Sequence, residues 1–117
     1  MVATPTPAPK AIGCEQYRTL IAKYSWDVDT AMAVMEAEST TNGISCNPMA
    51  DNTGLNRDGS NDKGLFQINS IHRDLIGDTE RFEPARNIDV AFQIYRGAKY
   101  SWTPWSAYNS GKYLKFM

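Results

Sequence analysis

Apolar side chains at helical spacing predict two helices in the first third of the chain. After Glu15, the apolar positions fall at i, i+3, i+4 and i+7, on one face of an amphipathic helix: Tyr17, Leu20, Ile21 and Tyr24. The segment 25–27 (Ser-Trp-Asp) interrupts this pattern. A second helix is predicted from Asp27 to Ser39, with acidic residues in its first turn, where the helix dipole favours negative charge.

The clearest helical pattern lies in the last third of the chain. Pro84 and Asn87 open it, with Asn87 as the predicted N-cap and Gly97 as the predicted end. Its apolar positions again follow the helical period: Ile88, Ala91, Phe92 and Tyr95. Shorter helical segments are predicted for residues 70–76 and 110–116.

A long polar stretch separates these helices. Residues 40–63 are rich in Gly, Asn, Asp, Ser and Thr and contain almost nothing that a core would bury. A structureless connection of this length is unusual and is typically functional or disordered. The apolar stretch GLFQIN follows at 64–69. Since helices dominate and one or two short strands at most are expected, the predicted class is α+β, mainly α.

Composition limits the chain to one domain. Its 117 residues are 42% hydrophobic, which is enough for a single core but not for two. Residues 1–13 are proline-rich and are predicted to be a linker to a larger protein or a bare tail, and residues 14–117 are predicted to be the folded domain. No apolar run approaches the about 18–20 residues of a membrane span. The net charge of −1 argues against an electrostatically driven nucleic-acid binder.

Two cysteines allow one disulfide bond or none. A Cys14–Cys46 bond would close a loop of about 33 residues. In the chain-entropy model such a bond contributes about 3–4 kcal/mol, and it would imply an oxidising setting. Two buried free thiols are the alternative, because sequence alone does not show that the sulfur atoms meet.

Glu38 is a candidate general acid because of its place on the second helix. At about 100° per residue, Ala31, Val34 and Met35 lie within about 60° of it, whereas Glu36 lies about 160° away on the predicted solvated face. Partial desolvation raises the pKa of a carboxyl group and keeps it protonated near neutral pH, as general acid catalysis requires. The alternative is a helix-end Glu whose carboxyl group reaches water.

Asp62 is the candidate second carboxylate. It stands at the end of the polar stretch, just before GLFQIN. If it faced Glu38, the two would form the pair that glycoside hydrolysis uses. The alternative is an ordinary turn residue. Asn56, Asp58 and Gly59 resemble the middle of a calcium loop, but both terminal ligand positions fail, so no metal ion and no cofactor are expected.

Aromatic residues crowd the segment after the last long helix. They would stack on sugar rings or fill the core, and we expect two of the four to be buried: Trp102, Trp105, Tyr108 and Tyr113.

Taken together, these blocks resemble the lysozyme-like soluble lytic transglycosylase domain. The resemblance covers roughly residues 14–113 and rests on ES at 38–39, the polar loop, GLFQIN at 64–69, the Asn-started helix and AYNSG at 107–111. It implies a lysozyme-like fold, with Glu38 as general acid/base, Gln67 lining the sugar groove, and the Tyr and Asn of AYNSG supporting Glu38 and the substrate. The candidate substrate-binding residues are Ser39, Gln67, Asn69, Trp105, Tyr108 and Asn109.

The segment DGSNDKGLFQINS at 58–70 also resembles animal-type lysozymes, whose second catalytic carboxylate stands where this chain has Asp62. Goose-type lysozymes carry an Asp in place of Asn69, so their way of positioning water is only partly supported. The resemblance leaves two reactions open. Transglycosylases typically need one Glu and form a 1,6-anhydro product, whereas hydrolases commonly use a second carboxylate.

The resemblance is strongest to domains of bacteriophage particles and actinobacteria, which implies bacterial peptidoglycan as the substrate. We expect a bacteriolytic glycosidase, a muramidase or lytic transglycosylase of the endolysin kind, that cleaves the β-1,4 bond between N-acetylmuramic acid and N-acetylglucosamine. It would act as a monomer, extracellular at the cell wall or virion-associated, and as a domain of a larger phage or secreted protein. The alternative is a catalytically inactive lysozyme-fold module that binds peptidoglycan or chitin.

Overall fold

The computed structural model describes residues 13–117, and helices dominate this part of the chain. The α-helices are α1 (Arg18–Ile21), α2 (Val28–Ser39), α3 (Pro84–Gly97) and α4 (Ser106–Asn109). Short 3₁₀ helices lie at Gly13–Tyr17, Ser70–His72, Thr79–Phe82 and Lys112–Phe116. The strands β1 (Asp62–Lys63) and β2 (Ile68–Asn69) pair antiparallel. The α+β, mainly α class is thus confirmed, while the predicted proline-rich segment lies, apart from Gly13, outside the described residues.

Helix α2 begins where the sequence predicted it and is buried more completely than expected. The Asp27 side chain caps it by accepting a hydrogen bond of 2.9 Å from the Thr30 backbone N–H. Residues 31–35 are all buried, and five consecutive residues cover more than one full turn. The buried surface of α2 is therefore wider than the single apolar stripe that the sequence predicted. Glu36, predicted on a solvated face, is partly buried, and burial together with the Glu15 charge raises its pKa.

The interruption between α1 and α2 supplies the centre of the aromatic core. Trp26 is 4% exposed, and its indole N–H donates to the Ile21 carbonyl oxygen at 2.8 Å. Its ring stacks on Trp102 and Phe66, with centroids 5.2 and 5.5 Å away. Trp102 and Trp105 are buried while Tyr108 and Tyr113 are only partly buried, so the expectation of two core residues among the four is confirmed.

The polar loop after α2 is fastened at several points. Cys14 and Cys46 form a disulfide bond, which settles the alternative that the sequence left open. The Asn47 backbone N–H donates to the Ser39 carbonyl oxygen at 2.8 Å, and Asp51 forms an isolated β-bridge with Lys63. These contacts fold the loop back against the end of α2 and along the β-hairpin.

The β-hairpin packs tightly against the start of α3. Gly64 has a φ of +85°, and a Cβ atom there would collide with the Arg81 carbonyl oxygen and the Asn87 side-chain amide. The prediction that Asn87 caps α3 is wrong, because Glu83 occupies the N-cap position and Pro84 begins the helix. Asn87 is instead buried within α3, where its side chain accepts from the Phe66 backbone N–H and donates to the Lys63 carbonyl oxygen.

The C-terminal segment returns to α2. The 3₁₀ helix Lys112–Phe116 packs against α2, and the N-terminal end of α4 reaches Glu38. Within residues 13–117, no helix has the length and apolar character needed to cross a membrane.

Candidate active site

A groove of about 670 Å³ runs between the end of α2, the β-hairpin and the start of α4. Glu38 and Asp62 both line it, so the structure brings the two predicted carboxyl groups together. The remaining lining comes mainly from the polar loop and the segment before α4: Leu55, Asn56, Arg57, Asp58, Ser60, Gln67, Ile68, Asn69, His72, Ile94, Pro104, Trp105 and Ser106.

Glu38 is a partly buried residue of this groove, at the end of α2. Burial raises the pKa of its carboxyl group to about 7, and the negative charge of Asp62 adds to the rise. The Ala107 backbone N–H, which donates to Glu38 Oε2 at 3.3 Å, and the positive charge of Lys112 hold the pKa down in part. At neutral pH a substantial fraction of Glu38 is therefore protonated and able to donate a proton.

Asp62 has a contrasting environment, made of side-chain amides. Asn52 and Asn56 donate to its Oδ2 atom, Asn56 at 3.1 Å, and Asn69 donates to its Oδ1 atom at 2.7 Å. Asn52 also accepts a hydrogen bond from the Asp62 backbone N–H. Because both carboxyl oxygens serve as acceptors, the three amides are matched to a carboxylate and fix its orientation.

Register explains the contact between Asp62 and Asn69. The two residues face each other across the antiparallel pair β1–β2, which brings directly opposed side chains close together. Asn52 and Asn56 come from the preceding loop and were missed by the sequence analysis. The only sequence signal was a loop rich in asparagine, which does not indicate which asparagines meet the carboxylate.

Gln67 lines the groove from the hairpin turn. Its backbone has a φ of +49°, which is uncommon for a residue other than glycine. Its side-chain amide donates to the carbonyl oxygens of Ala50 and Gly64, at 3.2 and 3.1 Å. These two hydrogen bonds hold the turn in place and tie it to the polar loop.

Trp105 also lines the groove, with little exposed surface. It is 5% exposed, and its indole N–H donates to the Phe66 carbonyl oxygen at 2.9 Å. It therefore connects the groove to the aromatic core and leaves little of its own surface for a ligand.

The other three candidate substrate-binding residues do not line the groove. Ser39 is completely buried, and its hydroxyl donates to the Met35 carbonyl oxygen at 2.8 Å, so a substrate contact by this hydroxyl is not supported. Tyr108 stacks on Tyr113 with centroids 4.8 Å apart. Asn109 is exposed and donates to the Thr103 carbonyl oxygen at 2.8 Å. From this segment it is the Ala107 N–H that contacts Glu38.

The described residues offer no arrangement of three or more His, Cys, Asp or Glu side chains able to hold a metal ion.

Comparison with known proteins supports the resemblance at the level of the family. A family model described as a lysozyme-like domain matches residues 19–107, about three quarters of the chain. The match includes Glu38, the β-hairpin and the Ala107 N–H. Searches of curated proteins and of solved structures return no significant match.

Proposed function

The chain belongs to the family of lysozyme-like domains of the soluble lytic transglycosylase type, and from that premise we propose that it cleaves the β-1,4 bond between N-acetylmuramic acid and N-acetylglucosamine in peptidoglycan. Family membership indicates peptidoglycan-related glycosidase activity. The observation that carries the finer proposal is the Glu38 carboxyl group, which has a pKa of about 7 and shares a groove with the Asp62 carboxylate.

Glu38 serves as the general acid in this proposal. It donates its proton to the glycosidic oxygen, the bond from that oxygen to the sugar C1 breaks, and positive charge develops at C1. Glu38 is left as a carboxylate and then takes a proton from the group that attacks C1. The Ala107 N–H, which donates to Oε2, stabilises the carboxylate between these two steps.

Asp62 stabilises the positive charge at C1 or, if water attacks, takes the proton of that water in place of Glu38. Its orientation is fixed by Asn52, Asn56 and Asn69, so no rearrangement of the carboxylate is needed as the charge develops. If water attacks, the product is a reducing sugar. If the C6 hydroxyl of the same sugar attacks, the product is a 1,6-anhydro sugar and Asp62 contributes only electrostatic stabilisation.

A product analysis tests the proposal. The protein is incubated with purified peptidoglycan, and the soluble products are weighed by mass spectrometry. Reducing ends identify a hydrolase, and ends lighter by one water identify a lytic transglycosylase. Uncleaved glycan that retains the protein would contradict the proposal and identify the alternative, a lysozyme-fold module that binds peptidoglycan or chitin without cleaving it.

The setting that we propose is outside the cytoplasm, at the bacterial cell wall or on a phage particle. The Cys14–Cys46 bond supports this location, because such bonds persist in oxidising compartments. The segment from Arg96 to Met117 has four basic residues and no acidic residue, which suits contact with an anionic wall polymer. We propose a monomer that acts as one domain of a larger phage or secreted protein.

A further inference from the structure

Arg81 is a buried arginine whose hydrogen-bonding capacity is completely used. It is 2% exposed, and a guanidinium group has five N–H donors. Its Nε donates to the Asp78 carbonyl oxygen at 3.2 Å, and its Nη2 donates to Asp78 Oδ1 and Asn61 Oδ1 at 2.6 and 2.7 Å. Its Nη1 donates to the carbonyl oxygens of Asn61 and Ile68 at 3.1 and 2.7 Å.

The two hydrogen bonds that Arg81 Nη1 donates go to the peptide groups directly before Asp62 and Asn69. The Asn61 carbonyl belongs to the peptide that enters Asp62, and the Ile68 carbonyl belongs to the peptide that enters Asn69. Asp62 and Asn69 face each other in the hairpin register, and their side chains are joined at 2.7 Å. One nitrogen atom of Arg81 thus holds both peptides that carry the Asp62–Asn69 pair.

We propose that Arg81 is a positioning residue for glycan cleavage: its guanidinium group holds the two peptide groups so that the Asn69 amide keeps the Asp62 carboxylate aimed into the groove. This inference rests on the proposed function. The planar fork of arginine suits the role, because it reaches acceptors in several fixed directions, whereas a lysine offers one ammonium group. Asp78, an ion-pair partner at 2.6 Å, balances the buried charge.

The backbone of Arg81 is itself held by Asn87. Its backbone carbonyl oxygen accepts a hydrogen bond of 2.8 Å from Asn87, whose side chain also bonds the hairpin backbone at Lys63 and Phe66. Lys63 pairs in addition with Asp78 at 3.1 Å. The segment from Asp78 to Asn87 therefore holds the hairpin at several points.

Arg81→Lys and Arg81→Ala test the inference, with Arg86→Ala as the matched control. Arg86 also pairs with acidic residues, Glu80 and Asp89, and donates to the Leu75 carbonyl oxygen, but it contacts neither strand. kcat and KM are measured on soluble, uncross-linked glycan strands prepared from purified peptidoglycan. We expect Arg81→Ala to lower kcat by about 100-fold, the effect of misplacing a reacting group by about 1 Å, with KM nearly unchanged. Arg81→Lys should lower kcat less, and Arg86→Ala should leave it unchanged.

Chemical rescue separates positioning from general loss of structure. A cavity of about 160 Å³ lies beside Arg81. Truncation of Arg81 to Ala leaves a polar space next to this cavity, and guanidinium ion can reach that space through the cavity. Millimolar guanidinium should restore part of kcat in Arg81→Ala and have no effect on the wild-type protein. A wild-type kcat in Arg81→Lys, or an equal fall in Arg86→Ala, would overturn the inference.

An NMR measurement tests the inference apart from activity. The side-chain amide protons of Asn69 should be protected from exchange in the wild-type protein and lose this protection in Arg81→Lys. If the wild-type protein releases no product, the proposed function fails, yet this measurement still tests the positioning of Asn69. Unchanged protection in Arg81→Lys would overturn the positioning role.

Discussion

The end of α2 and the β-hairpin each present one carboxyl group to the same groove, in opposite environments. Glu38 follows a run of buried apolar residues and, within residues 13–117, has a single backbone donor, the Ala107 N–H. Asp62 is surrounded by Asn52, Asn56 and Asn69, which donate to both of its oxygens. Burial raises the pKa of the Glu38 carboxyl group and favours its protonated form, whereas the three amides fix the orientation of the Asp62 carboxyl group.

In the proposed mechanism, this difference gives different chemical roles to two side chains with the same functional group. A glycosidase needs one group that gives a proton and one that bears negative charge beside the reacting carbon. In the proposed mechanism, the helix supplies the first group because Glu38 follows buried apolar residues, and the hairpin supplies the second because its register places Asn69 opposite Asp62.

Replacing the proton donor should have the largest effect. Glu38→Gln retains the shape and the contact to Ala107 but has no transferable proton, so we expect activity on peptidoglycan to fall by about 1000-fold, within the usual range for general acid catalysis. Glu36→Gln, on the same helix, is the control and should keep wild-type activity. Circular dichroism should show unchanged helix content in both. Normal activity in folded Glu38→Gln would remove the assignment.

Neutralising the second carboxylate should have the next largest effect, and its size identifies the reaction. Asp62→Asn should lower activity by about 100-fold if water is the nucleophile, since removing one electrostatic stabiliser commonly costs that much. A small loss is expected for a transglycosylase, where the sugar hydroxyl attacks. Asp51→Asn is a matched control, because Asp51 lies in the same loop but outside the groove lining. A small loss together with reducing-end products would contradict this division of roles.

The environment of Glu38 at the end of α2 was largely predictable from the sequence. The period of Ala31, Val34 and Met35 is a local signal, and it placed Glu38 beside apolar residues as the structure does. The N-cap of α2 at Asp27 is an equally local signal, because a capping residue acts within one turn. The burial of Trp26 was missed, since a residue between two helices belongs to neither period.

The environment of Asp62 in the β-hairpin depends on contacts between residues that are distant in the sequence, and no local sequence pattern predicts such contacts. Asp62 was identified only by its place in a motif, and the amides of Asn52 and Asn56 reach it because the loop is folded by its disulfide and β-bridges. Asn87 shows how a local rule fails: an Asn near a helix start usually caps it, but here Pro84 begins the helix and Asn87 bonds the hairpin. Arg81 carried no sequence signal at all.

The burial of Glu38 should also make the free energy of unfolding depend on pH. Its pKa is about 7 in the folded state and near 4.5 in the unfolded chain, so the unfolded chain loses this proton first as pH rises. The stabilising contribution of protonated Glu38 is complete below about pH 4.5, is lost between that pH and about 7, and is absent above. One pKa unit is worth about 1.4 kcal/mol.

Glu38→Gln, which cannot ionise, should therefore be more stable than the wild-type protein at pH 8, and equally stable at pH 4. Because solvent in the groove screens part of the cost, the difference at pH 8 should be on the order of 2 kcal/mol. Urea denaturation at the two pH values measures it. Glu36→Gln is again the control, with a smaller difference expected. Equal stability of Glu38→Gln and wild type at pH 8 would show that Glu38 is not desolvated.

The smallest expected effect comes from a charge outside the groove lining. Lys112 lowers the pKa of Glu38 through its positive charge, so Lys112→Gln should raise that pKa and move the alkaline fall of kcat, expected near pH 7 in the wild-type protein, to higher pH. The shift should be a few tenths of a pH unit at low salt and vanish at high salt, because an exposed charge is screened. Lys115→Gln, in the same 3₁₀ helix, is the control and should leave the profile in place. An unchanged profile at low salt, or a shift to lower pH, in Lys112→Gln would mean that the alkaline fall of kcat does not report the ionisation of Glu38.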